Sequence, residues 1–128
     1  MTYHNSKTVS YSFDDAIQKV IDELKKEGFG ILTEIDVKET LKKKLDVDFR
    51  KYKILGACNP PFAYKALQAE ETLGVLLPCN VVVQEKEEGK IQVSVVNPME
   101  SMKAVQNPAL EEIAAQVSEK LQIVLGNL

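Results

Sequence analysis

The sequence lacks the residues from which metal and redox centres are usually built: it has one histidine, two cysteines and no tryptophan. A structural zinc ion normally takes four Cys or His ligands. This chain offers only Cys58, Cys79 and His4, and the two cysteines do not form a CxxC pair. We therefore expect no metal, and leave open a site at Cys58 and Cys79, in which two subunits contribute four thiolates or Asp and Glu complete the ligand set.

Sequence motifs that hold cofactors or nucleophiles are also missing. Gly28-Phe29-Gly30 lacks the rest of a dinucleotide-binding fingerprint, and neither a phosphate-binding loop nor a Gly-x-Ser-x-Gly elbow is present. The chain is therefore expected to bind no cofactor, and whether it is an enzyme stays open.

Long apolar runs and an excess of positive charge are absent as well. The first residues, Met1 to Lys7, lack the apolar stretch of a signal peptide, and no segment approaches the ~20 apolar residues that span a bilayer. The net charge of −3 leaves no basic excess for contact with nucleic-acid phosphates. We expect a cytoplasmic protein with reduced cysteines that binds neither membranes nor nucleic acid.

The composition that is present is typical of one globular domain. Apolar residues make up 45% and charged residues 27% of the 128 residues. A chain of this length can bury one substantial core. We predict a single domain over residues 1–128, with a flexible tail over residues 1–6.

Hydrophobic periodicity predicts alternating strands and helices. Strands are predicted over residues 7–11, 29–35, 52–57, 75–85 and 91–95, and helices after Ser12, Asp36, Asn59 and Asn107. The first helix is expected to end at Gly28, and the first and last helices each carry an apolar stripe. Each of the three Asn-Pro pairs, at residues 59–60, 97–98 and 107–108, is expected to cap a helix, the second of them a short turn around Met99 and Met102. The helix after Asp36 is expected to turn Leu41 and Leu45 inward, and residues 86–89 are expected to form the turn of a hairpin. The order β-α-β-α-β-α-β-β-α predicts an α+β fold, a mixed sheet with helices mainly on one face.

Two Cys-Asn dipeptides stand out, each beside a proline at the edge of an apolar run. They make Cys58, Asn59, Cys79 and Asn80 the candidate ligand or thiol site. Asn59 is predicted to cap the helix that starts at Pro60, because Asn accepts from free N–H groups and Pro gives up an unpaired one. Cys58 would then lie beside a helix N-terminus, which favours a thiolate. Free cysteine is also among the most buried residue types, so a packing role is equally open.

Three functions from different classes are compatible with these residues. The first is a non-catalytic module that binds a ligand or a protein. The second is thiol-based redox, sulfur-handling or metal-handling chemistry, with Cys58 as the reactive thiolate, Cys79 as the resolving thiol, and Asn59 and Asn80 as orienting groups. The third is a hydrolase or isomerase that uses Glu34 or Asp36 as general base.

Four ordered stretches, residues 29–37, 41–45, 52–60 and 76–83, together resemble the bacterial and archaeal domain-of-unknown-function 302 family. The residues that match its signature segments are Cys58, Asn59, Pro60, Pro78, Cys79 and Asn80, together with Thr33, Glu34 and Asp36. The resemblance implies an α+β fold of the TATA-binding-protein-like class and a homodimer. It implies no activity, because none is assigned to the family.

Overall fold

Within residues 2–128, which the computed structural model describes, five strands and five helices follow one another along the chain. The strands are β1 (His4–Val9), β2 (Gly30–Asp36), β3 (Tyr52–Cys58), β4 (Cys79–Glu87) and β5 (Lys90–Val96). The helices are α1 (Phe13–Lys26), α2 (Val37–Leu45), α3 (Pro60–Ala69), α4 (Pro98–Ser101) and α5 (Pro108–Gly126), with 3₁₀ turns at Leu73–Leu76 and Lys103–Val105. The predicted order is confirmed, with the short α4 before the last helix.

Local capping sets the bounds of the first two helices. The Ser12 hydroxyl accepts a hydrogen bond from the Asp15 N–H at 3.1 Å and starts α1. Gly28, with a φ of +88°, takes the left-handed conformation that follows the end of this helix. The Asp36 carboxylate accepts from the Glu39 N–H at 2.9 Å and starts α2. These three features agree with the caps read from the sequence.

The strands form one sheet in the order β1-β5-β4-β3-β2, and every neighbouring pair is antiparallel. The α+β class is confirmed, whereas the predicted mixed pairing is corrected to antiparallel throughout the described strands. The reason lies in the connection from β3 to β4. After α3, the 3₁₀ turn at Leu73–Leu76 returns the chain to the end of the sheet it left, so that Cys79 pairs opposite Ala57.

The main core lies between one face of the sheet and the helices α1 and α5. On the sheet it comprises Leu55, Ala57, Val81, Val83, Ile91, Val93 and Val95, and on the helices Ala16, Ile17, Val20, Leu24, Val117, Leu121, Val124 and Leu125. The predicted apolar stripes on the first and last helices are therefore the ones that are buried. A smaller cluster, Ala66, Leu73 and Leu110, joins α3 to the start of α5.

Two local predictions are corrected. His4 to Ser6 belong to β1 and pair with Val96 to Ser94, so these residues do not form a tail; Met1 lies outside the described residues. The helix α2 contains no buried residue, and Leu45 is 66% exposed. Its apolar side chains lie beside β2, which is an edge strand, and no buried cluster forms there.

The sheet has a second face on which no cluster of buried residues forms among the described residues. We call it the open face, and strand alternation and register assign to it His4, Ser6, Thr8, Thr33, Ile35, Tyr52, Ile54, Gly56, Asn80, Val82, Gln84, Gln92, Ser94 and Val96. None of these residues is Asp, Glu, Lys or Arg. Charged side chains border this face at two places: Lys86, Glu87 and Lys90 at the hairpin tip, and Arg50, which precedes β3 and bonds to Gln84. None of the helices that residues 2–128 form is long and apolar enough to cross a membrane.

Candidate functional site

The first candidate site is a narrow apolar crevice between α3, α5 and the adjoining ends of β3 and β4, which we call the Cys79 crevice. It is lined by Phe29, Cys58, Asn59, Phe62, Ala63, Ala66, Leu77, Cys79, Met102, Ile113, Ala114 and Val117. Its free volume of about 30 Å³ has room for two or three water molecules, since one water needs ~10–15 Å³ by this measure. The crevice is therefore a seam in the packing and has no room for an organic ligand.

The two cysteines occur at the same end of the sheet but do not form a pair. Cys79 lies directly opposite Ala57, so its side chain is on the helix-covered face together with that buried alanine. Cys58 is the last residue of β3, next to the start of α3, and it also lines the crevice. Both cysteines are free. The expected cysteine pair is not confirmed.

Burial, with a smaller contribution from the nearby Cys58, raises the pKa of the Cys79 thiol to about 11. Desolvation disfavours the charged form of any group, and a neighbouring thiolate would add like-charge repulsion. Since the thiolate is the nucleophile, Cys79 is held in its unreactive form at neutral pH.

Alkylation of the native, reduced protein should therefore be slow at Cys79. Relative to an ordinary thiol pKa of 9.0, the raised pKa of about 11 should lower the thiolate fraction near pH 7.5 by about a hundredfold. The rate constant of iodoacetamide labelling at Cys79, followed by mass spectrometry from pH 7 to 11, measures this. If the rate constant rises with a midpoint near pH 9 or below, the raised pKa is contradicted. Labelling in denaturant, where Cys79 is exposed, supplies the control.

The surroundings of Cys58 give less support to a thiolate than the sequence predicted. The helix α3 does start at Pro60, next to Cys58 and Asn59, but Pro60 and Pro61 have no N–H group. The Ala63 N–H is already bonded to the Asn59 carbonyl at 2.9 Å. The first turn of α3 therefore presents few free donors to an anion, because free N–H groups carry the positive end of the helix dipole.

Asn59 occupies the N-cap position of α3, but its side chain makes no capping hydrogen bond. Instead, the buried Asn59 amide donates from Nδ2 to the Glu27 carbonyl at 3.1 Å and so ties α3 to the end of α1. The other two Asn-Pro pairs behave as predicted. Asn97 and Asn107 accept from the Met99 and Ala109 N–H groups at 3.1 and 3.0 Å.

Asn80 lies on the open face, on the other side of the sheet from the Cys79 side chain. There it borders a shallow concavity of about 400 Å³ that we call the open-face pocket. The lining residues are Tyr3, His4, Tyr52, Asn80, Val82, Gln84, Gln92, Ser94, Val95 and Val96. The structure thus divides the four predicted site residues, with Cys58, Asn59 and Cys79 lining the crevice and Asn80 the pocket.

Sequence reasoning missed most of the open-face pocket. Gln84, Gln92 and Ser94 were treated as ordinary positions of the β4–β5 hairpin. A signal was present, because the polar residues of both strands fall on alternate positions and so share one face. The same alternation separates Cys79 from Asn80, which are consecutive residues of β4.

The carboxylates of the third hypothesis do not line this pocket. Asp36 is engaged as the cap of α2, and the half-exposed Glu34 lies 3.9 Å from the Lys53 ammonium group. Within residues 2–128 no three His, Cys, Asp or Glu side chains come together in a way that could hold a metal ion.

Residues 5–128 match the family model described as "Domain of unknown function DUF302". A solved structure, the crystal structure of an uncharacterized conserved DUF302 protein from Bacillus stearothermophilus, is 33% identical in sequence. The two structures agree with a TM-score of 0.91, over 99% of this chain and 98% of that one. No curated protein matches the chain. The chain therefore belongs to the DUF302 family.

Proposed function

We propose that this protein is a non-catalytic binding module of the cytoplasm, whose ligand site is the open-face pocket. One observation carries the proposal: the pocket is lined by neutral hydrogen-bonding and apolar side chains, although 27% of the residues are charged. Exposed surfaces of such a chain normally carry charges. Its volume of about 400 Å³ falls within the ~300–1,000 Å³ usual for small-molecule sites. The free state of both cysteines is what a reducing compartment favours.

Two other functions, nucleic-acid binding and thiol chemistry, have less support. Contact with nucleic-acid phosphates needs several Lys or Arg side chains, and the described open face has only Arg50, beside Gln84, before the hairpin tip. Thiol chemistry needs an accessible thiolate, whereas burial in a crevice of about 30 Å³ raises the pKa of the Cys79 thiol to about 11.

Ligand screening by nuclear magnetic resonance tests the proposal. A chemically varied library of small molecules, added at millimolar concentration to ¹⁵N-labelled protein, should perturb the amide signals of β4, β5 and β1 around the pocket. The Cys79→Ala variant, altered in the crevice, should bind with unchanged affinity. A library in which no compound perturbs the open face would overturn the proposal, as would perturbations confined to α3 and α5.

We also propose that the chain forms a homodimer through the segment from β2 to the end of the following loop, residues 30–48, which we call the β2–α2 arm. Large exposed apolar side chains concentrate there: Leu32, Ile35, Leu45 and Val47, which are 66, 47, 66 and 44% exposed. The strand β2 is an edge strand whose outer backbone groups have no neighbouring strand. The arm also carries both acidic and basic residues, so two copies can meet without a net like-charge contact.

Sedimentation equilibrium should detect this dimer at about 100 µM chain, in the affinity range of weak homodimers. Leu32→Lys and Leu45→Lys should shift the protein to monomer, because each places a charge in the interface. Val75→Lys is the matched control, since Val75 is apolar and 86% exposed but lies outside the arm. A monomeric wild-type protein, or an equal effect of Val75→Lys, would refute the proposed interface.

A further inference from the structure

We infer that the open-face pocket selects an uncharged ring compound that presents carbonyl or hydroxyl oxygens as hydrogen-bond acceptors. This inference rests on the proposed function and names the ligand class for the same site. The first reason is electrostatic. No Asp, Glu, Lys or Arg lines the pocket itself. The guanidinium of Arg50, outside the lining, turns its Nε to Gln84 and lies 4.4 Å from the centroid of the Phe49 ring, so a charged ligand inside the pocket would lose hydration without gaining a direct ion pair.

A chain of side-chain amides fixes donor groups in the pocket. Arg50 Nε donates to Gln84 Oε1 at 2.9 Å. A guanidinium group has no hydrogen-bond acceptor, so the atom of Gln84 that faces Arg50 must be the amide oxygen. The amide nitrogen Nε2 of Gln84 therefore faces Gln92. Gln84 Nε2 then donates to Gln92 Oε1 at 3.3 Å. The Gln92 oxygen is therefore engaged, and its Nε2 is left to donate to a ligand.

A second chain, made of hydroxyl groups, lies beside the amides. Ser6 Oγ is 2.7 Å from Ser94 Oγ and 3.1 Å from His4 Nδ1. Because Ser6 bridges the other two groups, the Ser94 hydroxyl is positioned at the pocket by residues of β1. A hydroxyl can donate or accept, so Ser94 accommodates either a carbonyl or a hydroxyl of the ligand.

The rest of the lining suits a flat ring. Val82 and Val96 are half-buried apolar residues on the pocket surface, and Tyr3 and Tyr52 supply aromatic rings. Tyr52 is held against Phe49, with ring centroids 5.9 Å apart, and Tyr3 against His4 at 4.8 Å. Aromatic side chains stack on the faces of nucleobases and other flat rings. Nucleobases combine a flat face with acceptor carbonyl oxygens, and neutral sugars combine an apolar ring face of C–H groups with acceptor hydroxyl oxygens.

The affinities of two neutral probes and of their phosphorylated forms test the inference. Uridine and N-acetylglucosamine are titrated in parallel with uridine 5′-monophosphate and N-acetylglucosamine 6-phosphate, and open-face amide shifts are followed. At least one neutral probe should bind. Its phosphorylated form should bind more weakly by a factor of about ten or more, as expected when one charged group is desolvated without a partner. The probe that binds identifies the nucleobase or the sugar as the source of this chemistry.

Two variants connect the binding to the amide chain. Gln92→Glu removes the free donor and adds a charge, so it should weaken binding of the neutral probe about tenfold. Gln68→Glu, at an exposed position of α3, is the matched control and should leave this affinity unchanged. Arg50→Met releases the Gln84 amide and should weaken binding severalfold. If Gln92→Glu does not fold, Asn80→Asp at an exposed position tests the same exclusion of charge.

The outcomes separate this inference from the function on which it rests. Equal or tighter binding of the phosphorylated probes, or binding insensitive to the pocket variants, overturns the neutral ligand class. If only library compounds of another chemical class perturb the open face, the neutral ligand class is also refuted, but the proposed function as a binding module is kept. If no compound perturbs that face, both are refuted.

Discussion

Replacing Gly56 by alanine should lower the free energy of unfolding by about 3 kcal/mol, near the upper end of ordinary overpacking costs. Gly56 is a buried residue in the middle of β3. A Cβ atom at this position would overlap Thr33 Oγ1 from β2 and would come within 2.8 Å of Pro78 Cγ. Thr33 can relieve its overlap only by leaving its present rotamer, and the Pro78 ring can yield only by moving with its strand, so the added methyl group is costly.

Urea unfolding of the wild type and two alanine variants measures this effect. Gly30→Ala is the matched control, because Gly30 is also a strand glycine and nothing lies within 4 Å of an added Cβ. It should be neutral or stabilising by up to about 1 kcal/mol, since alanine restricts the unfolded chain. Equal stability of the two variants would contradict the packing argument. Combining Gly56→Ala with Thr33→Ala should recover part of the loss.

The contact at Gly56 shows where sequence reasoning reaches its limit. The strand containing Gly56 could be predicted from its apolar residues, and the starts of α1 and α2 from Ser12 and Asp36. These features depend on neighbours within a few residues of each other. The approach of Thr33 and Pro78 to Gly56 depends on the pairing of β2, β3 and β4, which the local pattern does not specify.

The candidate site shows the same division between local and distant information. The Cys-Asn dipeptides were conspicuous as sequence, and the same end of the sheet does hold both cysteines. Their side chains, however, follow strand alternation, which places Asn80 on the open face and the Cys79 thiol in the crevice. The amide chain of Gln84 and Gln92 depends on the register of the β4–β5 hairpin and on Arg50, 34 residues before Gln84. Only the folded sheet brings these groups together.

Truncation of Leu24 to alanine should cost about 3–4 kcal/mol of unfolding free energy, within the range for fully buried leucines. Leu24 is completely buried on α1, in the cluster formed with the sheet and α5. Its neighbours are held by the sheet on one side and α5 on the other, so the cavity cannot collapse fully and the cost includes lost contacts as well as transfer.

Leu45→Ala supplies the contrast, because the sequence assigned Leu45 to the inward stripe of α2 in the same way. The structure leaves Leu45 66% exposed, so its truncation should change the unfolding free energy of the monomer by less than about 0.5 kcal/mol. The two variants are compared by urea unfolding at micromolar concentration, where the proposed dimer is dissociated. A loss at Leu45 as large as that at Leu24 would show that α2 packs inward after all. If the loss at Leu45 appears only as the protein concentration rises, it belongs to the interface between two copies, because only association makes stability depend on concentration.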